Sequence, residues 1–439
     1  MCGFLLYNFL ILNDILTKAN ELLKLRGPDD MNVFNYSGYT FVHNVLSITG
    51  EKTLQPFIEE SKRIVCLYNG EIYNYKEFNK EYKSDGECII PMYLKHGHEY
   101  ASHLDGEFAI VIINFETNEL LLSSDIFGTK PMYYAFESDG RMGIASYKSC
   151  LINMGLKNIE KMSCNFTKVF KMDRSFAKSK DTQLYDFDLN QYKQTYHDFA
   201  NSLRKSIEKR CKNVDKNMFV SLSSGYDSGL ICGILNELNI KYNTICLDNN
   251  RENMITVNKR IILNKSGNNH VIKWNNSDHN NEYTAFLDKI SNMNYFPTSP
   301  SFAACYICDT AKKNIYKINI SGHGVDEIMS DYFGSSVSNF KGIFPINLYD
   351  IFPKNSEDND CVWKNFYNKS MLQNLEREEI VGGSFGIETR YPFLDKFVVQ
   401  EFLWLETSLK NKFYKAPLKE YLETLSYPFD LNKKIGLSS

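Results

Sequence analysis

Cys2 stands directly behind the initiator methionine and before a glycine. Removal of Met1 would leave a terminal cysteine, which joins a strong nucleophile to an α-amine of pKa about 7.7–8 that can take the thiol proton itself. Such a thiol needs no histidine partner. Asn69-Gly70-Glu71-Ile72-Tyr73-Asn74 follows the strand-like run IVCLY. An asparagine side-chain N–H and a glycine backbone N–H are suitable donors to the oxyanion of a tetrahedral intermediate. Asp85, in SDGE, offers a carboxylate to the ammonium of an amino-acid substrate, and Arg26-Gly27-Pro28-Asp29 forms a rigid turn able to position the site.

A second group lies in the C-terminal half. Ser223-Ser224-Gly225-Tyr226-Asp227-Ser228 falls between a strand-like and a helix-like run. Backbone N–H groups at such a turn favour a bound phosphate, and small residues let the backbone approach it. Asp227 suits that place only if a cation joins it to the phosphates, and Mg2+ is the usual one. Taken alone, a Ser/Gly turn before a helix is commonplace. However, Ser321-Gly322-His323-Gly324-Val325-Asp326-Glu327 also follows a predicted strand and opens a helix, so Asp227 and Asp326 can share one metal. Neither turn has the GK[ST] ending of a Walker loop.

Two kinds of element must hold these groups. Up to about residue 185 the chain reads as strands joined by turns, with nearly continuous apolar runs such as GEFAIVIINF, and helices near Leu12–Leu25 and Ile89–Lys95. Runs without alternation imply a sheet covered on both faces. The expected fold is an antiparallel α+β sandwich with helices outside. Beyond the polar stretch DRSFAKSKDTQLYDFDLNQ, strands alternate with helices. Tyr196, Phe199, Leu203 and Ile207 fall at helical spacing, as do Leu230, Ile234 and Leu238. That alternation predicts an α/β parallel sheet, whose strand ends carry the ligand loops. The expected units are 2–185 and 186–439.

Composition excludes several classes. A net charge of −3 with 43% hydrophobic and 23% charged residues is ordinary for a soluble chain and offers no basic footprint for nucleic acid. No apolar run approaches the roughly 18–20 residues of a membrane span, and the apolar start lacks the basic residues and cleavage site of a secretory signal. Eleven irregularly spaced cysteines suggest reduced thiols and a cytoplasmic location. Cys305 and Cys308 have CxxC spacing but no second pair, so they read as helix core rather than zinc ligands. The lysine-rich stretch Lys410–Lys419 reads as a solvated surface.

Taken in order, MCG, RGPD, NGEIYN, SDGE, DIFGTKPMYY, SSGYDS, SGHGVDE, ETRYPFLD and KKIGL resemble the glutamine-hydrolysing asparagine synthetase family along nearly the whole chain. The resemblance implies an N-terminal-nucleophile (αββα) glutaminase, an ammonia tunnel, and an ATP-pyrophosphatase-type domain that adenylates a carboxylate. It implies that Cys2 is the nucleophile, Asn69 and Gly70 form the oxyanion hole, and Asn69, Glu71 and Asp85 bind glutamine. Leu222, Ser223, Ser224, Gly225, Asp227, Ser228, Ser321 and Gly322 would bind ATP. Asp227 and Asp326 would hold Mg2+, and Lys434 would stabilise the adenylate-forming transition state. The implied partners are glutamine and a carboxylate acceptor, aspartate first. A homodimer is allowed for, and neither nucleic acid nor membrane is expected.

Several positions depart from that pattern. In HNVLSI, Val45 replaces the arginine that clamps the glutamine carboxylate. Losing that charged hydrogen bond is worth about 1.5–3 kcal/mol of binding unless another cation substitutes. Ser124-Asp125 replaces the usual RD, Ser224 a glycine, His323 the glutamate of SGEGxDE, and Ser330-Asp331 a Gly-Gly pair. The sequence ends at Ser439, soon after Lys434, where many relatives continue. His323, Ser330 and Asp331 therefore keep a second acceptor class open, such as a sugar uronic acid or a small-metabolite carboxylate. Val45 and the short end keep open a glutamine-sensing scaffold without turnover, against which Cys2, Asn69, Asp227, Asp326 and Lys434 all speak.

Overall fold

The computed structural model describes residues 2–430 apart from residues 174, 213, 215–216, 250–251, 275–282, 285, 288–298, 330–343, 356–357 and 359. Lys434, Ser330 and Asp331 lie outside the described residues.

The apolar runs of the first half become strands with both faces covered, as expected. Gly3–Tyr7 is buried at every position. Phe4 and Leu6 share one core with Val65, Leu67 and Val111, while Leu5 and Tyr7 share another with Leu22 and Leu23 of the helix Asn13–Arg26. Facing two cores is why this strand shows no polar alternation. It sits in a six-stranded antiparallel sheet ordered Ile159–Lys161, Tyr133–Phe136, Met142–Ala145, Gly3–Tyr7, Tyr39–Val45, Asp30–Tyr36. A second six-stranded sheet runs Lys178–Gln183, Phe166–Lys171, Glu119–Ser124, Gly106–Asn114, Ile64–Ile72, Phe57–Glu59. The helix Ile89–His96 covers its far face, sharing a core with Cys66, Tyr68 and Ile110. The layers are helix, sheet, sheet, helix.

The second half contains a five-stranded parallel sheet ordered Asn269–Lys273, Asn243–Asp248, Asn217–Ser221, Tyr316–Ile320, Glu388–Arg390. Helices His197–Cys211 and Tyr226–Glu237 bury Phe199, Leu203, Ile207, Leu230 and Ile234 as their spacing predicts. Cys305 and Cys308 are buried on the helix Ser299–Lys313, as expected of core residues. All eleven cysteines are unbridged. Among the described residues no helix is long and apolar enough to cross a membrane.

The two halves meet across buried ion pairs. Arg26 reaches Glu379 at 2.5 Å, Lys130 reaches Glu379 at 2.9 Å, Arg210 bridges Glu107 and Asp395, and Arg390 reaches Glu71 at 2.8 Å.

One expectation fails in part. Lys410–Lys419 is a solvated surface only in part: Lys412–Tyr414 are exposed, but Lys410 and Lys415 are only 3% and 4% exposed. Leu418 and Leu422 pack with Leu230 and Ile234, docking the helix Ala416–Thr424 and drawing the preceding lysines inward. Lys410 then donates to the carbonyls of Leu403 and Leu405 and to Gln191.

Candidate functional site

Cys2 heads the buried strand Gly3–Tyr7 and remains partly exposed in a pocket of about 480 Å3 that Val45, Lys52, Gly70, Glu71, Asp85 and Glu388 also line. The last residue of the first helix anchors it, since Arg26 Nε donates to the Cys2 carbonyl at 2.8 Å. Asn69 lies beside it on Ile64–Ile72. Its Oδ1 accepts the Cys2 backbone N–H at 2.7 Å, while Nδ2 is buried without a partner among the described residues. That fixes the amide so that its donor end is left for a ligand. Burial without a partner is costly for an N–H group, so this end awaits an acceptor.

Gly70 follows at φ +150°, and a Cβ there would lie 2.0 Å from the Glu107 carbonyl oxygen. Only glycine allows that close strand approach. The Asp85 carboxylate accepts from the Tyr68 hydroxyl at 2.5 Å and the Ile72 N–H at 2.9 Å. Burial pushes its pKa up and these two donors oppose the rise. Burial likewise raises the Cys2 thiol, with Glu388 and Asp85 adding to the shift and a backbone hydrogen bond from Leu46 opposing it. Glu71 pairs one carboxylate oxygen, Oε2, with Arg390 at 2.8 Å.

The two C-terminal loops also converge. Strand Asn217–Ser221 delivers Leu222, which is buried and donates its N–H to Ile245. Ser223 and Ser228 bond to one another through their hydroxyls at 2.9 Å, closing the loop. The Ser224 N–H donates to the Glu252 carboxylate at 2.6 Å, so an anionic group already occupies a backbone donor of this turn. Arg260 accommodates the loop from below, donating to the carbonyls of Ser223 and Gly225. A Cβ on Gly229 would meet that guanidinium at 2.3 Å. Ser321 is tied to the edge strand through its N–H and the Arg390 carbonyl at 2.9 Å. Gly322 lies against Asp227, where an added Cβ would come within 2.9 Å of the Asp227 Cβ.

Asp227 and Asp326 are therefore brought together, and what joins them is Lys415. Its ammonium lies 2.9 Å from Asp227 and 2.5 Å from Asp326. Burial would lower Lys415, but the two carboxylates hold it well above its ordinary value. Among the described residues no cluster of three or more His, Cys, Asp or Glu could hold a metal by itself. Two convergent carboxylates suit Mg2+ that takes its other ligands from phosphates and water.

His323 sits between the loops and a neighbouring helix, Ser370–Ser384. Its Nδ1 lies 2.7 Å from Glu378, and Arg377 reaches Nε2 at 3.1 Å. A guanidinium only donates, so the ring proton belongs on Nδ1, facing Glu378. Burial would raise the Glu378 carboxyl, but His323 holds it below its ordinary value.

Sequence reasoning assigned no role to Lys415, Glu252, Arg260 or to Arg377 and Glu378 beside His323, and noted Glu388 and Arg390 only within ETRYPFLD. These residues approach their partners through tertiary packing. The signal that was available was apolar: Ala416, Pro417 and Leu418 beside Lys415 foretell burial.

A terminal thiol set against a fixed amide donor, joined to a parallel sheet whose two loops pair their aspartates, defines an amidotransferase coupled to a nucleotide-using ligase. A glutamine amidotransferase domain model matches residues 1–186 and an asparagine synthase model matches residues 198–342. The chain is 26% identical to a putative glutamine-hydrolysing asparagine synthetase of Methanocaldococcus jannaschii, over 94% of this chain and 77% of that protein. It is 24% identical to the glutamine-hydrolysing asparagine synthetase of Gallus gallus, over 91% and 76%, and 29% identical to asparagine synthetase B of Escherichia coli, over 49% and 40%. The chain thus carries a glutamine amidotransferase domain followed by an asparagine synthase domain, and is similar to glutamine-hydrolysing asparagine synthetases along most of its length.

Proposed function

We propose that this enzyme amidates aspartate, using ATP and the amide nitrogen of glutamine, and forms asparagine, glutamate, AMP and pyrophosphate. Residues 2–185 act as the glutaminase and residues 186–439 as the synthetase. The observation that carries the reading is Asn69, held by Cys2 with its Nδ2 left to a ligand.

The Cys2 sulfur attacks the glutamine amide carbon while Asn69 Nδ2 and the Gly70 N–H receive the oxyanion. Collapse expels ammonia, with its extra proton coming from the Cys2 α-amine, and water then cleaves the thioester to glutamate. Glu71 and Asp85 belong to the glutamine side of this pocket. Ammonia passes to an acyl-adenylate formed at the second site. There Leu222, Ser223, Ser224, Gly225, Asp227, Ser228, Ser321 and Gly322 cradle ATP, and Lys434 supports formation of the adenylate. Mg2+ bound to Asp227 and Asp326 would neutralise phosphate charge. Lys415, between those carboxylates, adds a positive charge beside the same two loops. The sequence features favour a cytoplasmic enzyme, and a homodimer is compatible with them.

A second acceptor class is favoured by one observation. His323 is paired with Glu378 and Arg377, a mixed-charge set in place of the single acidic residue seen in the family pattern. Acceptor-dependent pyrophosphate release across a panel of aspartate, other small carboxylates and uronic acids decides between the readings. Release with aspartate above all others supports the first, and release with another acid but not aspartate overturns it.

A further inference from the structure

The Cys2 pocket is strongly acidic. Four carboxylates line it, those of Glu51, Glu71, Asp85 and Glu388, against a single cation, Lys52. Asp85 is stabilised by neutral donors, the Tyr68 hydroxyl and the Ile72 and Gly86 N–H groups, and so keeps its charge available to an ammonium. Arg390 answers Glu71 and Glu388 from behind. An amide-donor amino acid must also bring its α-carboxylate into this field. With no positive partner, that group meets the like charge of Asp85, which no cation among its hydrogen-bond partners offsets. Val45, the residue beside Leu46 on the wall, is apolar and 3% exposed and offers it nothing.

Lys52 is built to answer that need. Its side chain is half exposed and its ammonium lies 2.7 Å from Asp30, whose own side chain is 37% exposed. Exposed pairs of this kind contribute little and exchange readily, so the ammonium can leave Asp30 for an incoming carboxylate without a large loss. The four-carbon stem supplies the reach. Leu46 to Thr49 make up an uncharged part of the same pocket wall.

We propose that Lys52 is the specificity-determining residue of the amide-donor site, binding the α-carboxylate of glutamine and so selecting a free amino acid over its carboxyl-blocked forms. This rests on the glutaminase reading of Cys2. The test compares hydrolysis of glutamine with that of glutamine α-amide, which lacks the negative charge, in the full-length protein. The four forms are wild type, Lys52→Met, Lys52→Arg and the double variant Lys52→Met with Val45→Arg. Each ratio is internal to one protein, so differences in yield or folding cancel. Wild type and Lys52→Arg should prefer glutamine by roughly 10- to 100-fold in kcat/KM. That preference should vanish in Lys52→Met and return in the double variant. Preference unchanged in Lys52→Met overturns the role of Lys52 alone. Wild type that hydrolyses neither compound, and matches Cys2→Ala, overturns the glutaminase reading and this assignment with it.

Discussion

At the scale of single residues, Asn69 shows the difference between possessing a group and positioning it. Its amide would be a weak catalyst if free to rotate. The Cys2 N–H pins Oδ1, so the donor end points elsewhere without further ordering. Preorganised donors of this kind are worth about 10²–10³ in rate. Asn69→Ala should therefore lower glutamine hydrolysis by about that factor while ammonium-supported pyrophosphate release continues, read in parallel assays. Cys2 makes a second demand. Burial raises the thiol, which works against spontaneous ionisation at neutral pH, so proton removal falls to the freed α-amine. Mass spectrometry of active enzyme should find Cys2 as its first residue, and full glutaminase activity with Met1 retained would contradict the mechanism. The pH dependence follows in sign: glutamine hydrolysis should climb as pH rises from about 6 toward 8, where the α-amine loses its proton.

At the scale of elements, two loops are held in register by glycines and by one lysine. Gly322→Ala would push a methyl against Asp227, whose Cβ lies 2.9 Å away. The expected result is at least a tenfold loss of acceptor-dependent pyrophosphate release with glutamine hydrolysis intact, since the clash is confined to the second half. Lys415 gives a test that does not require turnover. Lys415→Met leaves Asp227 and Asp326 facing one another, so Mg2+ alone should raise the melting temperature of the variant more than that of wild type. Equal shifts would argue against a shared metal at these carboxylates. The elements also show what could be foreseen. Unbroken apolar strands announced sheets with two covered faces, and strand–loop–helix spacing announced the two turns that lead from strand into helix. Lys415 was not legible in the same way. A lysine-rich run reads as a surface until the apolar residues between the lysines find a docking face, and that face, at Leu230 and Ile234, lies far back in the sequence. His323 was visible as a substitution, but its partners Glu378 and Arg377 come from a helix that no local pattern links to it.

At the scale of the molecule, the two halves are joined by buried charge as well as by shared apolar cores, in which Leu46, Ile48 and Phe127 pack with Phe366 and Tyr367. Glu379 from the second half serves Arg26 and Lys130 from the first, and Arg26 in turn holds the carbonyl of Cys2. Breaking one partner of a buried network leaves unpaired charge and costs about 3–5 kcal/mol. Glu379→Ala should accordingly lower the melting temperature and weaken glutamine hydrolysis, although Glu379 belongs to the synthetase half. A drop in pyrophosphate release alone would show that the network does not connect the sites.

The central claim is that nitrogen freed at Cys2 is consumed at the ATP site. Its most direct measurement is acceptor-dependent pyrophosphate release, with aspartate present, supported either by glutamine or by an ammonium salt in wild type and Cys2→Ala. The account predicts that wild type uses both nitrogen sources, forming glutamate with glutamine, and that Cys2→Ala loses the glutamine-supported reaction while keeping the ammonium-supported one. Glutamine-supported release that survives in Cys2→Ala would contradict it.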